Sequence, residues 1–163
     1  MKIEKVTENN VAQASYIYAM SWKAGYKNIL PQEFLNHISA KLWINKLKSS
    51  KKNFQENYIA SVNGKFIATS SICEARDKEY KGWGEIKSIY VLPTEFRKGF
   101  GSHLFRYVYE RLENKGYSKV YLWVLKENIT ARKFYESMGF HFNGDCIHAN
   151  IGGKNCSIIK YVN

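Results

Sequence analysis

Proline is scarce, with only Pro31 and Pro93 among 163 residues, which excludes a collagen-like chain, and no Pro/Gly/Ser-rich linker divides the sequence. Cysteine is nearly as rare. Cys73, Cys146 and Cys156 cannot all pair, and no C-x-x-C spacing occurs, so a disulfide framework or a cysteine zinc site is not expected. Long apolar runs are missing too. The longest is Val120 to Leu125, far short of the ~20 residues that cross a bilayer. The opening Met1-Lys2-Ile3-Glu4-Lys5 has no apolar signal-peptide core, so the expectation is a cytoplasmic protein without a membrane partner.

Acidic residues are the minority charge, 14 against 25 Lys+Arg, leaving a formal +11. Such a field attracts anions: nucleic acid, an acidic membrane surface or a phosphorylated small molecule. One dense basic stretch, Lys46-Leu47-Lys48-Ser49-Ser50-Lys51-Lys52, reads as a solvated helix end, where lysines complement the helix dipole. No nucleic-acid recognition motif accompanies the charge, so no nucleic-acid partner is expected. With 45% hydrophobic residues and this length, a chain buries about two-thirds of its unfolded surface without a staple. Residues 1–163 are read as one domain.

The order of elements predicts an α/β fold built on a mixed sheet. Lys2 to Val6 alternates as a strand. Asn9 or Asn10 can cap a helix carrying Val11, Ala14, Ile17, Tyr18 and Trp22 at helical spacing. Pro31 suits the first turn of a second helix, with Phe34, Leu35, Ile38, Leu42 and Ile44, up to about Leu47. Then the period drops to two: Tyr58 to Val62 and Lys65 to Cys73 flank Asn63-Gly64, a strong hairpin signal. Gly84 to Leu92 is a strand stopped by Pro93. A helix opens at Gly99-Phe100-Gly101-Ser102, turns Leu104, Phe105, Val108 and Leu112 inward and ends at Gly116. Val120 to Leu125, apolar on both faces, fits a central strand. Asn128 can cap a helix with Ala131, Phe134, Tyr135 and Met138, closed by Gly139, and late strands follow near Phe140 to Asn143 and Ser157 to Val162.

The segment Ile89-Tyr90-Val91-Leu92-Pro93-Thr94-Glu95-Phe96-Arg97-Lys98-Gly99-Phe100-Gly101-Ser102 runs from a strand through a basic, glycine-containing turn into a helix. Free N–H groups of the first helical turn make an anion site there. It lacks Walker A spacing, and Leu104 stands where a dinucleotide fingerprint needs its third glycine. On its own the G-x-G is equally a tight packing turn. The run resembles the Q/R-x-x-G-x-G/A loop of the GNAT superfamily of N-acetyltransferases. Asn128-Ile129-Thr130-Ala131-Arg132-Lys133-Phe134-Tyr135-Glu136-Ser137-Met138-Gly139-Phe140 resembles that family's N-x-x-A-x-x-F/L-Y-x-x-x-G-F motif. One position departs: Phe96 stands where the loop has Gln or Arg.

The resemblance implies a central, mostly antiparallel sheet with splayed middle strands flanked by helices, and acetyl-CoA as donor. It implies that amides from Arg97, Lys98, Gly99, Phe100, Gly101 and Ser102 hold the pyrophosphate. The backbone of Ile89, Tyr90 and Val91 would pair with the pantetheine arm, and Asn128 would contact that arm or simply cap its helix. Where the motif has a side-chain contact to phosphate, Arg97 is expected to take over, with Phe96 packed beneath the loop against Leu104 and Phe105. No metal is expected, since His37, His103, His141 and His148 show no ligand spacing.

Acetyl transfer to an amine needs a base for the ammonium proton, at a pKa near ~10.4 for a lysine-like group. It also needs donors for an oxyanion and for the departing thiolate. Tyr135, at the family's tyrosine position, can protonate the thiolate; as part of one apolar helical face it is equally a core aromatic. Glu85, fourteen residues before Gly99, is the candidate base. Strand parity puts it beside Ile89 and Val91 absent a bulge. Its alternatives are a solvated strand end, an ion pair with Lys87, or replacement by a water chain. Trp22 and Tyr26 resemble the W-x-x-x-Y-x-x-I-x-P stretch of one bacterial GNAT subgroup, and can line an acceptor pocket or staple the helices. The acceptor is expected to be a primary amine of a small molecule or peptide. The net charge opposes polycations, although Glu74, Asp77 and Glu79 can reverse this locally. A non-catalytic CoA-binding module is the rival reading, and a homodimer is a family-level expectation.

Overall fold

The computed structural model describes residues 1–48 and 55–163; the basic residues Lys51 and Lys52 lie outside them. Seven strands form one sheet in the order β1-β2-β3-β4-β5-β7-β6. They are β1 (Lys2–Lys5), β2 (Gln55–Val62), β3 (Lys65–Glu74), β4 (Gly84–Val91), β5 (Val120–Leu125), β6 (His141–Ile151) and β7 (Lys154–Val162). Only β4 and β5 pair in parallel; every other pairing among the described strands is antiparallel. Helices α1 (Val11–Gly25), α2 (Gln32–Asn36) and α3 (Ile44–Lys48) cover one face, and α4 (Phe100–Glu113) and α5 (Ile129–Ser137) the other. No helix of the described residues is long and apolar enough to cross a membrane.

Local chemistry accounts for most boundaries. Asn63 and Gly64 both take positive φ (50° and 78°) in the β2–β3 turn, the pair of left-handed residues that a type I′ hairpin requires. Leu104, Phe105, Val108 and Leu112 are all buried on α4. Asn128 caps α5 by accepting the Ala131 N–H at 3.1 Å. Asn10 stands before α1, but its side chain accepts the Thr7 N–H at 2.7 Å and makes no cap bond.

Two expectations fail. The helix expected from Pro31 to Leu47 is two short helices, because Ser39 accepts the Lys41 N–H and the Trp43 N–H turns to the buried Ser15 hydroxyl of α1. Leu42 is consequently 51% exposed. The late strands are longer than expected and form a hairpin turned by Gly152 and Gly153, both at positive φ. A register shift between Phe142 and Cys146, around Gly144, breaks the alternation that sequence periodicity relies on.

Candidate active site

Strands β4 and β5 pair only at Gly84–Val120 and Glu85–Tyr121. Beyond these rows they diverge, leaving a wedge whose walls are β4 from Ile86 to Val91 and β5 from Leu122 to Leu125. A bulge lies at the start of the wedge. Ser71 pairs with Ser88 and Ile72 with Ile86, so Lys87 is the extra residue. A bulge inverts side-chain parity beyond it. Glu85 therefore shares a face with Ser88 and Tyr90, not with Ile89 and Val91 as strand parity alone predicted.

At the mouth of the wedge, β4 passes through a 3-10 turn (Pro93–Glu95) to the start of α4. Arg97 (φ 60°) and Gly99 (φ 81°) are left-handed. Gly99 occupies the N-cap, no side chain caps α4, and the first N–H of α4 to find a backbone acceptor is that of His103, on Gly99 O. Phe100, Gly101 and Ser102 thus present N–H groups at the positive end of a fourteen-residue helix, with Arg97 and Lys98 beside them. That donor set fits a pyrophosphate. Lys98 is held by Glu95 at 2.9 Å.

Two details of the loop concern its packing, and the second departs from expectation. A Cβ on Gly101 would lie 3.6 Å from Phe134 and Val91, so it points beneath α4 rather than toward the anion. Its smallness lets α4 sit close to β4 and α5. Phe96 does not pack under the loop. It is 47% exposed, because its extended backbone after the 3-10 turn carries the ring outward.

Deeper in the wedge, aromatic hydroxyls converge. The Tyr135 hydroxyl of α5 is buried, and burial together with nearby Tyr26 raises its pKa above that of a free phenol. Tyr26 packs edge-on against Trp22 with centroids 4.8 Å apart, and its hydroxyl faces that of Tyr90. Trp22 Nε1 donates to the Tyr90 hydroxyl at 3.0 Å. Tyr18 stacks edge-on against Tyr90 at 4.7 Å and bonds Ser88. Trp22 also rests on Trp43, at 5.6 Å. Trp22 and Tyr26 therefore brace the helices, and Tyr26 lies close to the Tyr90 and Tyr135 hydroxyls. Burial and its tyrosine neighbours push the Tyr90 hydroxyl well above its ordinary pKa, so these are neutral donors and acceptors at neutral pH.

Glu85 is 1% exposed and fully engaged. Arg76 Nε donates to its Oε2 at 2.8 Å and Arg76 Nη2 to its Oε1, and the Tyr121 hydroxyl donates to Oε2 at 2.9 Å. Of the alternatives for Glu85, neither the solvated strand end nor a hydrogen-bonded pair with Lys87 is what the described residues show: Lys87 Nζ donates to Gln55 Oε1 at 2.8 Å. Cys73 lies against Oε2 at 3.7 Å, and burial with the adjacent carboxylate pushes its thiol up to about 12. It is therefore no nucleophile. Tyr121 also accepts the Arg76 and Asp77 N–H groups. Asp77 in turn holds the buried Lys160 at 3.1 Å, with Asp145 at 3.0 Å and the Tyr80 ring 3.4 Å from the ammonium. Arg76, Tyr121 and Lys160 carry no motif, and nothing in sequence spacing points to them.

This wedge, with bare helix amides at its mouth and a tyrosine on its wall, matches a known family. Residues 17–140 fit the family model of the acetyltransferase (GNAT) family. The chain belongs to that family. The N-acetyltransferase YuaI of Bacillus subtilis (strain 168), itself uncharacterised, is 26% identical over 120 residues, 73% of this chain and 68% of its own. Two solved structures share the fold. The PaiA N-acetyltransferase of Thermoplasma acidophilum, in complex with coenzyme A, superposes with TM-score 0.73 at 19% identity, over 98% of both chains. The ribosomal-protein-alanine N-acetyltransferase of Brucella melitensis reaches 0.77 at 15% identity, over 100% and 99%. The activity that goes with membership is N-acetyl transfer from acetyl-CoA.

Proposed function

We propose that this acetyltransferase acts on the primary amine of a small molecule or peptide and that the β4–β5 wedge is where the two substrates meet. The observation that carries the reading is the uncapped α4 N-terminus at the wedge's mouth with Tyr135 on its wall. The amides from Arg97 to Ser102 hold the pyrophosphate of acetyl-CoA, and Arg97 adds a charge-assisted contact. The backbone of Ile89 to Val91 hydrogen-bonds the pantetheine arm as an added strand, near Asn128. Trp22 and Tyr26 shape the acceptor side.

The amine must lose a proton before it attacks the thioester carbonyl. Both Glu85 oxygens are occupied, so on the glutamate-base reading the proton reaches Glu85 through water, not by direct contact. As the C–S bond breaks, Tyr135 gives its proton to the thiolate. A neutral, buried phenol keeps that proton until a charged thiolate, itself desolvated and so made more basic, forms beside it.

The sealed Glu85–Arg76 pair is the feature that favours the second reading, a CoA-binding module without turnover. Release of free thiol from acetyl-CoA across a panel of amines separates the two. Acceptor-dependent release supports the enzyme; tight CoA binding by calorimetry with no release for any amine supports the module.

A further inference from the structure

The sheet face beneath α1 and α3 has two electrically different halves. On the β5–β7 half the buried Lys160 is outnumbered by Asp77 and Asp145. On the β2–β4 half, Arg76 and Lys46 both act on Lys87, near the Glu85 carboxylate that Arg76 already occupies. Lys87 is the odd member. It is half-buried, and among the described residues its ammonium donates to the neutral Gln55 amide oxygen; burial lowers its pKa, with Arg76 and Lys46 adding to the fall and Cys73 and Glu85 opposing it. Gln55 has no freedom to offer more, since its own amide donates to Asn57 and Ser71 at 3.2 Å. Nor does the sequence between Lys48 and Gln55 hold an acidic residue.

A half-buried cation whose nearby carboxylate is already paired with another cation is costly, and an anion arriving beside it repays that cost. The bulge sets the Lys87 backbone just past the first rows of the wedge, while its ammonium reaches over β3 to Gln55 at the start of β2, with the half-exposed Arg76 guanidinium also acting on it. Across the wedge stands the acidic half. A ligand with an amine at one end and an anion at the other fits this polarity, and a polyamine does not.

We propose that Lys87, with the outer edge of Arg76, binds an anionic group of the acceptor, so that the substrate is an amine that also carries a carboxylate or phosphate. The proposal rests on the transferase reading above, and deepens it. The anion anchors the acceptor on the β2–β4 half while its amine points into the wedge.

The test compares matched acceptors: ω-amino carboxylates against alkylamines of equal length, and aminoalkyl phosphates against the corresponding amino alcohols. Turnover is read as kcat/KM by thiol release. The anion-bearing member of a pair is favoured by about 10- to 100-fold, the scale of one charge-assisted hydrogen bond. Which pair shows the larger ratio tells carboxylate from phosphate. Lys87→Met keeps the aliphatic stem and collapses the ratio toward one, whereas Lys87→Arg retains it; melting curves confirm that both variants fold. Lys133→Met, an exposed lysine on α5, leaves the ratio alone. A wild-type ratio near one overturns the proposal, as does a ratio insensitive to Lys87→Met. An equal fall in Lys133→Met overturns it too, by showing a long-range field. The acetylated products, titrated calorimetrically in the presence of CoA, separate the two readings. An anion preference in binding that Lys87→Met abolishes, without turnover of any acceptor, supports the anion site and removes the transferase. Turnover without preference does the reverse.

Discussion

The two sides of the wedge are built from different materials. The donor side is backbone: bare N–H groups of α4 and a left-handed Gly99, with few side chains committed. The proposed acceptor side is side chain: Gln55 with Lys87, and beside them a set of buried and half-buried groups running from Cys73 through Glu85, Arg76 and Tyr121 to Asp77 and Lys160. On the proposed reading, the backbone donors recognise the part of acetyl-CoA that does not vary with the acceptor, its phosphates. A side-chain network can be rewritten one residue at a time. That is why the first is legible as a motif and the second is particular to this chain.

The strongest way to break this contrast is at Arg76. Arg76→Met leaves the buried Glu85 carboxylate with only the Tyr121 hydroxyl among these partners, and under-satisfying a buried charged acceptor costs about 2–3 kcal/mol. Glu85→Gln should cost only about 1 kcal/mol, because the amide still accepts from Tyr121 and Arg76 reaches water. Urea unfolding of both variants checks the asymmetry, and a Glu85→Gln protein less stable than Arg76→Met would falsify the clamp.

Next in size is Tyr135→Phe. The ring stays and one hydroxyl goes, so kcat should fall roughly 10²-fold with little change in the KM for acetyl-CoA. Wild-type turnover in this variant returns Tyr135 to a purely packing role.

On the donor side the glycines should behave oppositely. Gly99→Ala forces a Cβ onto a φ of 81° and costs about 1 kcal/mol. Gly101→Ala meets only ordinary contacts and should gain about 0.5 kcal/mol by reducing the freedom of the unfolded chain. Thermal melts that rank the pair the other way contradict the loop geometry. The smallest expected effect is Phe96→Ala, within about 0.5 kcal/mol as for other surface positions. A loss near the ~3 kcal/mol of a core aromatic would mean that the ring packs beneath the loop after all.

Much of the architecture was legible beforehand because it depends on local rules. Asn63-Gly64 made its hairpin, Asn128 capped α5, and the apolar face of α4 went inward. The break between α2 and α3 was not legible, since it depends on a Trp43 N–H finding Ser15 on another helix. The same holds for Glu85. Its offset from Gly99 is a matter of counting, but its face is set by the bulge at Lys87 and its partners by Arg76 and Tyr121.

What the sequence determined by itself was therefore the order of most elements, the glycine-containing turn into α4 and the place of Tyr135 on α5, each encoded within a few consecutive residues. Only the tertiary structure decided which charges meet: that Lys160 is spent on two aspartates, that Glu85 is closed by Arg76, and that Lys87 is left with a neutral partner. The physical reason is range. Capping, turn chemistry and periodicity act over one to four residues along the chain, whereas ion pairing acts through space between strands whose register a single inserted residue can invert.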